Sequence, residues 1–252
     1  LNLASRDFNL EAAYTLDKNA VLVQKATARI HGISAGFHGQ LSNLNDPYLD
    51  VEGDVAIVLN RVRPLLSTYA PALKDAELDG ILSGPFILKG SWNDPTGWNL
   101  SADVNGDQVI IKKNLRLGHF ELQFRLKDKT VNIPYLRANP YQGTLGANLR
   151  MDLSKTEIPF EGKIFANNLN LRTLARDLAP QQKDLSGTAI FQTALSGQLK
   201  SQDTYLGSGS ISIREGKLWQ TNLFKTMGKL PFLEVEGLDS VTFHDLSATF
   251  EI

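Results

Sequence analysis

Read as hydrophobic and polar positions, this chain is dominated by alternation with a period of two. Phe120, Leu122, Phe124 and Leu126 alternate with Glu121, Gln123, Arg125 and Lys127, and Leu145, Ala147, Leu149, Met151 and Leu153 alternate without a break. Successive side chains of a strand point to opposite faces, so such runs predict strands with one buried face. The same pattern predicts a hairpin from strands at 8–16 and 21–30, turned by Asp17-Lys18-Asn19, and a glycine-punctuated strand reaching the loop at 43–47. Further strands are expected at 51–60, 78–89, 99–104, 108–112, 115–126, 131–133, 160–171 and 185–197. Ser208 to Ile213 is read as a strand closed by a tight turn at Glu215-Gly216, and 239–244 and 246–252 as the last two.

Three short stretches break this rhythm. Val62, Leu65, Leu66, Tyr69 and Leu73 fall at helical spacing, with Pro64 and Pro71 limiting that helix to about two turns. A second short helix ends at Leu178-Ala179-Pro180, and a third, amphipathic one is expected over 222–230. Asn93 to Gly97 is turn chemistry between Trp92 and Trp98.

Parts of this order occur twice. Val51-Glu52-Gly53, a helix ending Ala70-Pro71 and Leu82-Ser83-Gly84 are echoed by Phe160-Glu161-Gly162, Ala179-Pro180 and Leu185-Ser186-Gly187. Self-similarity in fixed order is the signature of stacked units. It divides the chain into a β-rich segment at 1–50, a first unit at 51–159 and a second at 160–252. One-sided alternation implies an antiparallel sheet. It fits a sealed sandwich or barrel as well as a long curved sheet whose apolar face lines a groove.

Composition adds exclusions. The chain has 252 residues, 42% hydrophobic and 21% charged, which suits a folded protein with a sizeable core. A net charge of −1 offers no field for a phosphate backbone, so no nucleic-acid partner is expected. There is no Cys, hence no disulfide, thiol nucleophile or thiolate metal site. No apolar run approaches the roughly 20 residues of a membrane helix. The chain begins at Leu1 without a start Met or a signal-like segment and reads as an excised piece of a longer protein.

No residue pattern in the chain points to catalysis. His31, His38, His119 and His244 are scattered singly, and only the first two approach each other, at no known ligand spacing, so no metal is expected. Gly207-Ser208-Gly209 is followed by strand alternation instead of the helix a phosphate loop requires, which leaves Ser208, Ser210 and Ser212 on a solvent face. Asp75 with Glu77 and Asp239 with Asp245 lie near turns as solvated charges. Asn99-Leu100-Ser101 fits a glycosylation sequon, a triplet common by chance. No catalytic constellation and no cofactor are expected.

The segment from Leu206 to Leu233, with its glycine-rich strand, Glu-Gly-Lys-Leu turn, short helix and following strand, resembles the end of AsmA-like proteins, bacterial envelope proteins related to TamB and YhdP. The Leu-Ser-Gly strand after Asn-Leu-Asn-Leu-Arg-Thr-Leu also resembles that family's internal units. The resemblance implies an elongated, curved antiparallel sheet forming a U-shaped groove, with a few short helices. It implies a non-enzymatic role in the periplasm, carrying phospholipid or another acyl-chain lipid between inner and outer membranes, in a parent protein anchored in the inner membrane. The lining would include Phe120, Leu122, Phe124, Leu126, Leu145, Leu149, Met151, Ile211 and Ile213. The alternatives are a scaffold assisting outer-membrane protein assembly through its sheet edge, a glycan-acting enzyme with a converging carboxylate pair, and an adhesion module with a sealed core.

Overall fold

A computed structural model describes residues 9–17, 19–69, 77–111, 115–178, 185–218 and 241–251. Strands β1 (Asn9–Asp17), β2 (Ala20–Ile30), β3 (Ile33–Ser42) and β4 (Tyr48–Val58) lead into helix α1 (Leu59–Tyr69). Then come β5 (Leu78–Asp79), β6 (Ile81–Ser91), β7 (Asn99–Ile111), β8 (Leu115–Lys127), β9 (Thr130–Ala138), β10 (Thr144–Asp152) and β11 (Pro159–Asn170). Helix α2 (Leu171–Leu178) precedes β12 (Ser186–Gln198), β13 (Ser201–Leu218) and β14 (Val241–Glu251). All fourteen strands belong to one sheet in chain order, the short β5 pairing with β7 off the main path. Every pairing is antiparallel, and β1 and β14 do not meet, so the sheet stays open and no barrel closes.

The register shows how the apolar residues come to share one face. Directly paired residues of an antiparallel sheet share a face. Leu88, Leu100 and Leu126 lie in one such row, and Phe86, Ala102 and Phe124 in the next. Further on, Ile133 pairs with Leu149 and Val131 with Met151, while Phe191 pairs with Ile211 and Ala189 with Ile213. One apolar face therefore runs from β1 to β14, backed by a face of Asp, Glu, Lys, Arg, Ser and Asn.

Where the apolar alternation slips phase along the chain, the structure inserts a β-bulge. In β7 the apolar set Leu100, Ala102 and Val104 changes parity to Val109 and Ile111, and the register shifts between Gly106 and Val109, with Gln108 at φ 59°. In β11, Ile164 and Ala166 give way to Leu169 around Asn168 at φ 56°. Each extra residue bends its strand and keeps the apolar residues on one face. Two sequence expectations are corrected on this ground. The strands at 99–104 and 108–112 are a single β7, and Glu215-Gly216 is not a turn: Glu215 sits at φ 48° inside the 18-residue β13. Likewise, 239–244 and 246–252 form a single strand over the described 241–251. Leu78 to Lys89, expected as one strand, breaks at Gly80 (φ 121°) into β5 and β6.

The two ends of the strands differ. One end carries hairpin turns. The other carries α1, α2, the β2–β3 and β9–β10 turns and the connection across 219–240, where the expected third helix lies outside the described residues. Helix α1 begins three residues earlier than expected and holds Pro64 in its interior, so it spans 11 residues despite that proline. It buries Leu59 and Val62 against Leu78, Leu82, Val104, Val109, Leu117 and Phe120. Helix α2 starts at Asn170, whose Oδ1 accepts from the Thr173 N–H at 3.1 Å, an N-cap. It buries Leu171 and Ala175 against Leu185, Ala189 and Ile213. The two echoed units thus occupy matching places: Leu82 and Leu185 each lie beneath the helix that precedes them.

Glycines in the apolar face make room for rings on the flanking strands. Gly53 pairs with both Phe37 and Phe86, whose rings meet edge to face with centroids 6.5 Å apart. A Cβ at Gly53 would stand 2.0 Å from the Gly36 carbonyl oxygen and 2.6 Å from Phe37 Cα. Gly53→Val is accordingly expected to cost about 1–3 kcal/mol, read as a lowered urea midpoint.

Candidate functional site

All nine residues expected to line a groove fall on the apolar face, but in different surroundings. Phe120, at 9% exposure, lies in the cluster sealed by α1, and Ile213, at 5%, lies in the one sealed by α2. Leu122 and Leu145 pack against the first cluster and Ile211 against the second. Phe124, Leu126, Leu149 and Met151 belong to neither and are half-buried. The face is therefore divided lengthwise: its helical half is a core, and its hairpin half is an unsealed apolar strip.

Sequence reasoning missed the ring pairs that pave this strip and its surroundings. Phe160 and Tyr205 meet edge to face at 5.2 Å on either side of Gly197, and Phe191 stacks with Phe250 at 6.0 Å. A Cβ at Gly209 would meet the Phe250 ring at 2.4 Å. The legible signal was a glycine on one strand facing aromatics on both neighbours, which no single strand displays. The one buried polar side chain of the described residues, Thr193, donates from its hydroxyl to the Ser208 carbonyl at 3.1 Å and so costs the face little.

Curvature is tied in by α2, which touches β8 as well as its sequence neighbours β11 and β12. The Tyr141 hydroxyl, in the β9–β10 turn, engages the Arg116 backbone of β8 and the Asp177 side chain of α2, and burial pushes its pKa up. Three elements distant in sequence are joined there.

The polar face holds a network the sequence did not reveal. His119 Nδ1 lies 2.8 Å from Asp107 Oδ1 and its Nε2 3.2 Å from Glu121 Oε1, and Tyr135 donates to the other Glu121 oxygen at 2.9 Å. His119 and Glu121 are two apart on one strand, and the β7 bulge delivers Asp107. The hydrogen bond to Asp107, then that to Glu121, raises the His119 pKa above 6.5, while Tyr135 foremost and His119 next lower that of Glu121. All these groups are exposed, and among the described residues no group of His, Asp and Glu has the geometry to hold a metal ion. No described helix is long and apolar enough to cross a membrane. Ser208, on the polar face as expected, is exposed, whereas Ser210 and Ser212 beside it are half-buried.

An open, one-sided β-sheet, apolar along one whole face and stoppered by helices at one end of its strands, defines the class of this protein. Residues 77–252, well over half of the chain, match the family model described as the AsmA family, and the chain belongs to that family. Neither a curated protein nor a solved structure matches the chain significantly. The match begins at the residue before β5, yet the apolar face continues unbroken across β1 to β4.

Two outcomes are expected from this geometry. Phe120→Ala, in the sealed half, should cost about 3–5 kcal/mol in denaturant unfolding, whereas Leu126→Ala, in the unsealed strip, should cost well under half of that. In an NMR titration His119, assigned by its loss in His119→Gln, should titrate above 6.5 and shift down in Asp107→Asn. Because its folded-state pKa is raised, the network's contribution is complete below pH 6.5 and fades as pH rises through the raised value.

Proposed function

We propose that this chain works non-enzymatically in the periplasm as a lipid-carrying segment, sheltering the acyl chains of phospholipid on its apolar face during passage between inner and outer membranes. The observation that carries this reading is the continuous apolar row structure of a sheet that stays open, with an unsealed strip along its hairpin half. Each methylene left in water costs about 0.8 kcal/mol, so a chain of about fifteen methylenes needs about 12 kcal/mol of shelter. Phe124, Leu126, Leu149 and Met151, half-buried and outside both helix-sealed clusters, contribute part of that shelter. Membership of the AsmA family supports an envelope setting.

A scaffold role in outer-membrane protein assembly is the second reading. It is favoured by the sheet edges, since β1 and β14 each pair on one side only among the described residues. The two separate cleanly in experiment. Native mass spectrometry with lipid extraction, on protein purified from a Gram-negative host, should find phospholipid bound. Leu149→Asp with Met151→Asp should abolish it while circular dichroism keeps the β spectrum. Lipid-free wild-type protein would turn attention to the edges.

A further inference from the structure

The hairpin ends of β1 to β7 form a tied rim whose apolar residues the groove does not explain. Three successive turns are hydrogen-bonded to one another. The Leu44 N–H donates to Asn19 Oδ1 at 3.2 Å, the Trp92 N–H to the Pro47 carbonyl at 2.7 Å, and the Asn93 amide to Asp46 Oδ1 at 3.1 Å. Across five strand spacings this rim extends about 24 Å.

Large apolar side chains sit on both faces and on the tips of this rim. Leu16 and Trp98 belong to the apolar face, since Leu16 pairs with Val21 and Trp98 lies against Gly90. Leu22 and Tyr48 belong to the opposite face, in rows with Gln40 and with Ser42 and Ser91. Leu44 and Trp92 stand at turn tips. Leu16 is 66% exposed and Trp92 59%, and Leu22, Leu44 and Tyr48 are also exposed. Deeper in the sheet the same opposite face is mainly charged, with Asp50, Glu52 and Lys89 beside a single exposed Ile87. A lining for acyl chains requires one apolar face. An edge that carries large apolar side chains on both faces, and Leu44 and Trp92 among the polar residues of its tips, fits a medium that surrounds it.

We propose that this rim dips into the surface of a lipid bilayer and brings the unsealed strip level with the acyl chains there. The proposal rests on the lipid-carrying reading above. Trp and Tyr, an apolar body with a polar handle, are the side chains that settle at the boundary between headgroups and acyl chains. A thin edge suits a bilayer, which closes around it, better than the flat or concave patch a protein partner needs. The rim offers no excess positive charge: Lys89 pairs with Asp50 at 2.9 Å, while Asp46 and Asp94 remain carboxylates, hydrogen-bonded by the neutral donors Asn93 and Thr96. Insertion, not attraction to anionic lipid, is thus the driving term.

The test is flotation of the whole chain with vesicles of phosphatidylcholine, with and without phosphatidylglycerol. Trp92 is followed by quenching from brominated phosphatidylcholine, as the difference between wild type and Trp92→Phe. Wild type should float equally with both compositions and Trp92 should be quenched. Leu44→Asp with Trp92→Ala should weaken partition at least tenfold while the β spectrum and the phospholipid retained on purification stay unchanged. Leu149→Asp with Met151→Asp should lose retained phospholipid and still float, so the two readings fail separately. Unquenched Trp92, flotation only with phosphatidylglycerol, unaltered flotation of the rim variant, or a rim variant altered only in self-association during sedimentation would each overturn the proposal.

Discussion

The structure depends on keeping apolar side chains in phase across every strand pair. Side chains alternate with a period of two, so a slip of one residue in any register would turn a strand's apolar set outward. In a sheet of fourteen strands a single uncorrected slip would cut the face in two. The bulges at Gln108, Asn168 and Glu215 are among the corrections, with further register shifts in β2, between Val23 and Ala26, and in β9, between Ile133 and Leu136. Each of the three bulges absorbs one residue where the chain changes parity, and each lies near the helical end of its strand.

That phasing creates a face far longer than the two short helices can cover. Helix α1 seals Leu82, Val104 and Phe120, and α2 seals Ala189 and Ile213, giving two local cores that hold the sheet. Nearer the hairpin turns no helix covers the face, and although Val51 and Val131 are buried among their neighbours, Phe124, Leu126, Leu149 and Met151 are only half-buried. Stability and the exposed strip therefore come from the same alternation, and only the position of the helices separates them. Glycines at 53, 197 and 209 let aromatic rings from neighbouring strands lie across the strands between, so the face stays closed over its backbone without bulky residues at every position.

Much of this was readable along the chain because a strand's alternation is a local property. Phe120 to Leu126 and Leu145 to Met151 announced both their strands and their shared face. The breaks in rhythm were harder. Gln108 and Glu215 looked like ends of strands, since a bulge and a turn both interrupt the alternation and only the partner strand tells them apart. Pro64 looked like a stop, but the buried contacts of Leu59 and Val62 hold α1 together around it. The His119 network was invisible because Asp107 and Tyr135 reach it from other strands.

By itself, then, the sequence determined a one-sided antiparallel sheet with short helices, since period-two alternation and helical spacing are written in neighbouring residues. It left open whether that face closes on itself. The tertiary structure decided that β1 and β14 stay apart, which of the nine apolar residues are sealed, and that the apolar residues of the rim occupy both faces. Those are matters of register and of helix placement, set by contacts between residues far apart in the chain, and no local pattern encodes them.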